Sequence, residues 1–283
     1  MGDARLLEGG GDDPDVALGS GDRRGDLLRH LEAGLVIAAD GVRSPIRAAR
    51  FAVEPPRFTG HVAWRALVPA ERLSGLPAAT QVTLGPRRHI VSYPLRGGRL
   101  VNLVAIEERA GWQAEGWMLA DDPANLRRAF AGWGGAAGTL VASVEECFLW
   151  GLFDHPPLPA WTIGRIALLG DACHPMLPFL AQGASMALED AWVLAAELDR
   201  AADPAAGLAA YVAARRPRAT RVQRAAARNG RIFHLLPGLR GPAQAALAAA
   251  SALAPAWLAG RFDWLYGHDV TAAEGDSRKF RPA

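Results

Sequence analysis

Lysine is almost missing from this 283-residue chain: Lys279 is the only one among 31 basic residues, and all the others are arginine. Twenty-nine acidic residues nearly cancel that charge, and a net +2 gives no ground for a nucleic-acid partner. The arginines are scattered along the chain, which reads as compositional bias rather than a guanidinium-specific task. Cysteine is scarce too. Cys147 and Cys173 form neither a disulfide framework nor a metal-ligand spacing, so a reducing cytoplasm is expected and no metal site is predicted. Long apolar runs are absent as well. The start of the chain has no apolar core of a secretion signal, and the Ala-rich stretch 242–260 is interrupted by Gln244, Ser251 and Pro255. That stretch predicts a packed helix or helical pair, with no membrane partner.

Half of the residues are hydrophobic, and the length allows one large domain or two. Residues 8–25 are rich in Gly and Asp and read as a loop, followed by a short helix over Arg24–Leu31. Leu35–Ala39 has the composition of a buried strand and runs straight into Asp40-Gly41. From residue 58 to 155 the texture is that of strands, over His61–Val68, Gln81–Leu84, His89–Leu95, Leu100–Glu107 and Glu145–Phe153. Arg96-Gly97-Gly98 signals a hairpin, and a helix over Pro123–Trp133 takes Asp121 or Asp122 as its cap. Beyond residue 182 the chain turns helical: one helix covers Ala184–Arg200, and a longer one covers Ala205–Phe233 with a kink or break expected at Pro217. The seven arginines Arg215 to Arg231 of that helix read as a solvated or domain-contact face. No internal repeat is visible.

Two elements carry chemistry. In each, an apolar run meets a carboxylate and a glycine: Leu35-Val-Ile-Ala-Ala-Asp40-Gly41-Val-Arg43-Ser-Pro-Ile-Arg47 and Ile166-Ala-Leu-Leu-Gly170-Asp171. After the second comes a Pro-rich turn and a helix opening on small residues, Gln182-Gly183-Ala184. A carboxylate beside a helix N-terminus suits a polar cofactor: the carboxylate accepts hydrogen bonds from hydroxyls, and the helix start offers backbone N–H groups to negative charge. The stretch 164–191, with the Asp40-Gly41 run ahead of it, resembles the FAD-dependent aromatic hydroxylases of the salicylate and 3-hydroxybenzoate type. Tyr211, Arg215, Pro217, Arg218 and the segment Phe262–Asp269 extend the resemblance over residues 35–270.

The resemblance implies a mixed α/β fold: an FAD-binding Rossmann-like domain (residues 1–50 and 161–283) with an inserted β-sheet substrate domain (51–160). It also implies an oxidoreductase in which NADH or NADPH reduces FAD, dioxygen forms a flavin hydroperoxide, and a phenolic or other small aromatic acid takes up one oxygen atom. Asp40, Gly41, Arg43, Gly170, Asp171, Gln182, Gly183 and Ala184 are then the cofactor-binding residues. His89 and Tyr93 fall on one face of a strand, roughly 13 Å apart along it, and the resemblance makes them the substrate-site His and Tyr, with Pro178 lining the pocket. A surface histidine beside Arg87 and Arg88 is the competing reading of His89. His174 reads as a structural part of the motif's turn.

One departure stands out. The family begins with a strand, a GxGxxG turn and a helix that hold the FAD pyrophosphate, and neither Gly9-Gly-Gly11 nor Gly19-Ser-Gly21 has the flanking strand and helix. The expectation is a member without its first βαβ unit, with an exposed sheet edge and weakened FAD affinity. A second reading therefore stays open, a non-catalytic remnant or interaction protein that needs another chain to complete the FAD site. A homodimer stays open too.

Overall fold

The computed structural model describes residues 16–17, 30–31, 33–73, 79–112, 119–234 and 237–272. The chain separates into two compact units. The first comprises Met1–Pro55, His155–Arg228 and Ala250–Ala283; the second comprises Pro56–Asp154 and Asn229–Ala249.

In the first unit, β1 (Val16–Ala17) pairs antiparallel with β2 (His30–Leu31). The helix expected over Arg24–Leu31 lies outside the described residues except for these last two, which are extended. A second sheet has the order β10 (Thr162–Ile163), β11 (Ile166–Leu168), β3 (Val36–Ala38). β11 and β3 run parallel, with Ile166 opposite Val36 and Leu168 opposite Ala38. Both are short and apolar, with every side chain buried except the partly buried Ile37, as suits strands covered on both faces. Their partners are the helices of the same unit. α1 (Pro45–Arg50) is capped by Ser44, whose hydroxyl accepts from the Arg47 N–H, with Pro45 at the first helical position. α4 (Gly183–Arg200) and α5 (Pro204–Phe233) follow β11, and α7 (Pro255–Gly260) and α8 (Asp263–Tyr266) end the described chain. Of the kink or break expected at Pro217, the break is absent: α5 is continuous through the proline. On its buried face Tyr211, Arg215, Ala219 and Val222 are packed both before and after the proline, and this packing outweighs one lost backbone hydrogen bond.

The second unit is a six-stranded antiparallel sheet in the order β5 (Gln81–Gly85), β6 (Arg88–Leu95), β7 (Leu100–Glu108), β4 (Arg57–Pro69), β9 (Cys147–Asp154), β8 (Leu119–Asp121). Alternation along β4 explains its placement: Val62, Trp64, Ala66 and Val68 enter the core, while Arg65 and Leu67 between them are exposed. The Trp64 indole N–H donates to Asp121 Oδ2 at 2.7 Å, so its one polar atom is satisfied. The β6–β7 hairpin turns through Arg96, Gly97 and Gly98, all at positive φ. α2 (Pro123–Ala129) starts on Asp122, whose carboxylate accepts from the Ala124 N–H. A second helix, α3 (Gly135–Ala142), follows where the sequence predicted none. The Ala-rich stretch forms α6 (Pro237–Leu253) and then α7, helical as expected, but residues 241–249 are exposed rather than packed. Among the described residues no helix is long and apolar enough to cross a membrane.

Candidate functional site

Parallel pairing of β3 with β11 delivers both acidic turns to the same end of the sheet. Leu169 N–H donates to Ala38 C=O, and two residues further on in each strand come Asp40-Gly41 and Gly170-Asp171. Ligands of open α/β sheets bind at this carboxyl end of the strands. Arg47, the last residue of the Leu35–Arg47 run and not among the expected cofactor-binding residues, ties the turns together. Arg47 Nη1 donates to the carbonyls of Asp171 and Ala172, each at 3.1 Å, and its Nη2 donates to the carbonyl of Val42. Arg47 is also in electrostatic reach of both the Asp40 and Asp171 carboxylates. Arg43, the arginine favoured from sequence, is exposed. The signal was present in Ser44-Pro45, which fixes a helix start and so turns Arg47 back toward the motif.

Gly170 adopts φ +61°, and its N–H donates to Asp190 Oδ2 at 3.1 Å. Asp190 is fully buried and is the anchor of the motif: Oδ2 also accepts from His174 Nε2, and Oδ1 accepts from Arg215 Nε at 2.9 Å. Burial alone would raise the Asp190 pKa, but the hydrogen bonds and charges of His174 and Arg215 together outweigh it and hold the carboxyl below its usual range. Arg215 Nη1 reaches Glu189 at 2.7 Å, and Arg218 clasps the same carboxylate with Nε and Nη2. The Tyr211 hydroxyl donates to Leu168 C=O, and the Gln223 amide donates to Pro175 C=O. Tyr211, Arg215 and Arg218 thus hold the motif from behind, and His174 takes the structural role expected of it. Arg216, Arg221, Arg224 and Arg228 line one cleft with Thr220 and Trp264, and Arg221 lies 3.9 Å over the Trp264 ring.

Ala181 takes a left-handed φ of +52° and sets the direction in which α4 begins. Gln182, buried, is the cap residue but makes no side-chain capping bond, so the first N–H groups of α4 keep their capacity to meet a ligand. A Cβ on Gly183 would lie 3.8 Å from Asp171 Oδ1, which places the bare backbone of the helix start beside that carboxylate. Ala184 and Pro178 are exposed. Partial burial raises the Asp171 pKa, offset in part by His174 and Arg47, and its carboxylate has no hydrogen-bond donor among the described residues. A hydroxyl-accepting carboxylate, an uncapped helix start and a glycine between them fit the ribityl and flavin end of FAD.

The proposed substrate residues lie in the second unit. His89 is buried, not a surface residue beside Arg87 and Arg88. It sits on β6 with Tyr93 four residues along on the same face, and Tyr93 is half-buried. His89 Nδ1 is 2.8 Å from His234 Nε2, and His234 Nδ1 is 3.1 Å from Glu108 Oε1. Phe233 packs edge-on against His89, and His61 edge-on against His234. The donor atoms of His61, Glu108 and His234 lie within 4.8 Å of one another. Burial first, then the neighbouring imidazoles, lowers the His89 pKa to about 3; burial and His61 bring His234 to about 4.

Two acidic turns joined at parallel strand ends, beside an open helix start, are the candidate cofactor cradle of this chain. Residues 8–226 match the family described as FAD binding domain, and the chain belongs to that family. A 3-amino-4-hydroxybenzoate 2-monooxygenase of Streptomyces platensis is 41% identical over 210 residues, which cover 73% of this chain and 53% of that protein. A salicylate hydroxylase of Pseudomonas putida is 36% identical over 269 residues, covering 86% of this chain and 60% of that protein. The solved structure of a salicylate hydroxylase substrate complex superposes with a TM-score of 0.70 at 30% identity, over 86% of this chain and 63% of that one. The chain therefore spans between about half and two thirds of the length of these relatives.

Proposed function

We propose that this chain provides the flavin-facing part and the substrate sheet of an FAD-dependent monooxygenase that hydroxylates a phenolic or related aromatic acid with NADH or NADPH and dioxygen. The observation that carries the proposal is the pairing of Asp40-Gly41 with Gly170-Asp171 through Arg47, beside the uncapped start of α4. FAD, when bound, supplies the redox chemistry that activates dioxygen. Asp171 would accept hydrogen bonds from ribityl hydroxyls. The N–H groups of Gly183 and Ala184 would hold negative charge on the reduced ring, worth about 1 kcal/mol or somewhat more when partly buried. Gly183 permits the close approach, and Pro178 lines the same region. On the sheet, His89 stays neutral at working pH and can take a hydrogen bond or a proton from a phenolic hydroxyl, which enriches the ring for attack. Tyr93 marks the other end of the substrate.

The test is flavin absorbance of the purified chain with and without added FAD, followed by hydroxybenzoate- or salicylate-stimulated NAD(P)H oxidation with analysis of the product. Asp171→Ala should weaken FAD binding by roughly tenfold or more while the thermal transition of the apoprotein stays in place. Protein that stays colourless in excess FAD would sink the reading of a self-sufficient enzyme and favour an interaction protein completed by another chain. His89→Ala should cut aromatic turnover and leave flavin uptake unchanged.

A further inference from the structure

Glu108, His234 and His89 form a directed chain of hydrogen bonds within the second unit. A carboxylate accepts only, so the 3.1 Å contact from Glu108 Oε1 to His234 Nδ1 puts the proton on that nitrogen. Glu108 is held ionised: partial burial raises its pKa, but the hydrogen bonds from Arg87 and His234 and the charge of Arg87 lower it below the usual value. A neutral His234 protonated on Nδ1 has its lone pair on Nε2. The 2.8 Å contact there therefore requires His89 to donate from Nδ1. His89, also neutral, is left with its lone pair on Nε2. In free histidine the Nε2–H tautomer is the commoner one, so two successive Nδ1–H imidazoles need a fixed anion at one end. Arg87 Nε holds that anion through Glu108 Oε2 at 2.7 Å. His61 is fixed separately. The Thr59 hydroxyl donates to Leu152 C=O, so its oxygen can accept from His61 Nδ1 at 3.2 Å.

We infer that Glu108 and His234 are positioning residues that set the tautomer of His89 and carry its proton outward. The inference rests on the reading of His89 as the group that meets the phenol. In the relay the phenolic O–H bond breaks and its proton joins His89 Nε2. The Nδ1 proton of His89 passes to His234 Nε2, and the Nδ1 proton of His234 passes to Glu108. One proton enters, one leaves, and no imidazolium persists in a site that disfavours it. Glu108 is partly exposed and releases the proton to water.

The decisive experiment is histidine-selective ¹⁵N labelling of the chain, whose seven histidines can be assigned by single substitutions. Long-range proton–nitrogen spectra at pH 7 should show His89 and His234 both as Nδ1–H tautomers. Glu108→Ala should move both toward Nε2–H, and Glu108→Asp should restore the wild-type pattern at least in part. In the active holoenzyme, Glu108→Ala should lower kcat by roughly 10–100-fold with KM little changed. An Nε2–H tautomer at His89 in the wild type, or a His89 tautomer indifferent to Glu108→Ala, would overturn the relay. So would displacement of both imidazole protons by one equivalent of Zn²⁺, which would make the cluster a metal site. The tautomers are read without turnover, so a failed relay is distinguishable from a failed assignment of the reaction.

Discussion

Asp190 shows how much of a motif can hang on a side chain outside it. It holds the Gly170 N–H, His174 and Arg215, and Arg215 is itself buried. Asp190→Ala should destabilise by about 3–5 kcal/mol, because it leaves a buried guanidinium short of its partner; urea unfolding measures the loss. Gly170 is constrained in two ways. Its φ is +61°, and an added Cβ would sit 3.0 Å from Ala187 Cβ. Gly170→Ala should cost about 1–2 kcal/mol from the backbone alone, and adding Ala187→Gly should recover only the steric remainder, as paired thermal melts would show. At this scale the sequence was legible where chemistry is local: a carboxylate and a glycine at the end of an apolar run announce a turn. It was illegible where contacts are distant. Arg47 reaches the carbonyls of the second turn only because β3 and β11 meet, and His234 lies 145 residues from His89.

The elements were legible wherever side chains alternate strongly. β4 to β7 and β9 fall within a few residues of their expected bounds because Val, Ile, Trp and Phe repeat with period two. α3 was missed because Gly135-Ala-Ala-Gly138 carries little pattern and Gly is a poor helix former. At Pro217 the break, one of the two outcomes expected there, is absent because packing on both sides of the proline keeps the helix continuous. β9 supplies a test of close packing between element and loop. The Trp112 ring covers Gly151 so closely that an added Cβ would lie 2.2 Å from it. Gly151→Ala must expel the indole, and its melting temperature should fall by several degrees, equivalent to about 1–3 kcal/mol of overpacking. The double variant with Trp112→Ala should lose less than the sum of the two single changes, because the clash is already relieved.

Across the whole molecule, buried neutral histidines predict acid lability. His155 and His234 are brought to about 4 and His89 to about 3, each chiefly by burial, against an ordinary value of 6.5. Their folded pKa values are lowered, so the unfolded chain binds protons first as the pH drops. Stability is therefore complete above pH 6.5 and erodes as the pH falls from there toward 4 and then 3, with each histidine contributing up to about 1.4 kcal/mol per pH unit. Chemical denaturation at pH 7.5, 6 and 5 should show this slope, and His234→Phe should flatten it. The division into two units bears on time as well as on structure. The chain leaves the first unit after Pro55 and re-enters it at His155, so β3 waits for β11 across the entire six-stranded sheet. Closing so long a loop is entropically costly, and the cost shrinks once the intervening segment has collapsed. Folding should therefore run from the inside of the sequence outward. Pulse-labelled hydrogen exchange should find the β4–β7 amides protected before that of Ala167. The two acidic turns would then meet last, and on the ribosome Val36–Ala38 would stay without its partner until Leu168 has emerged.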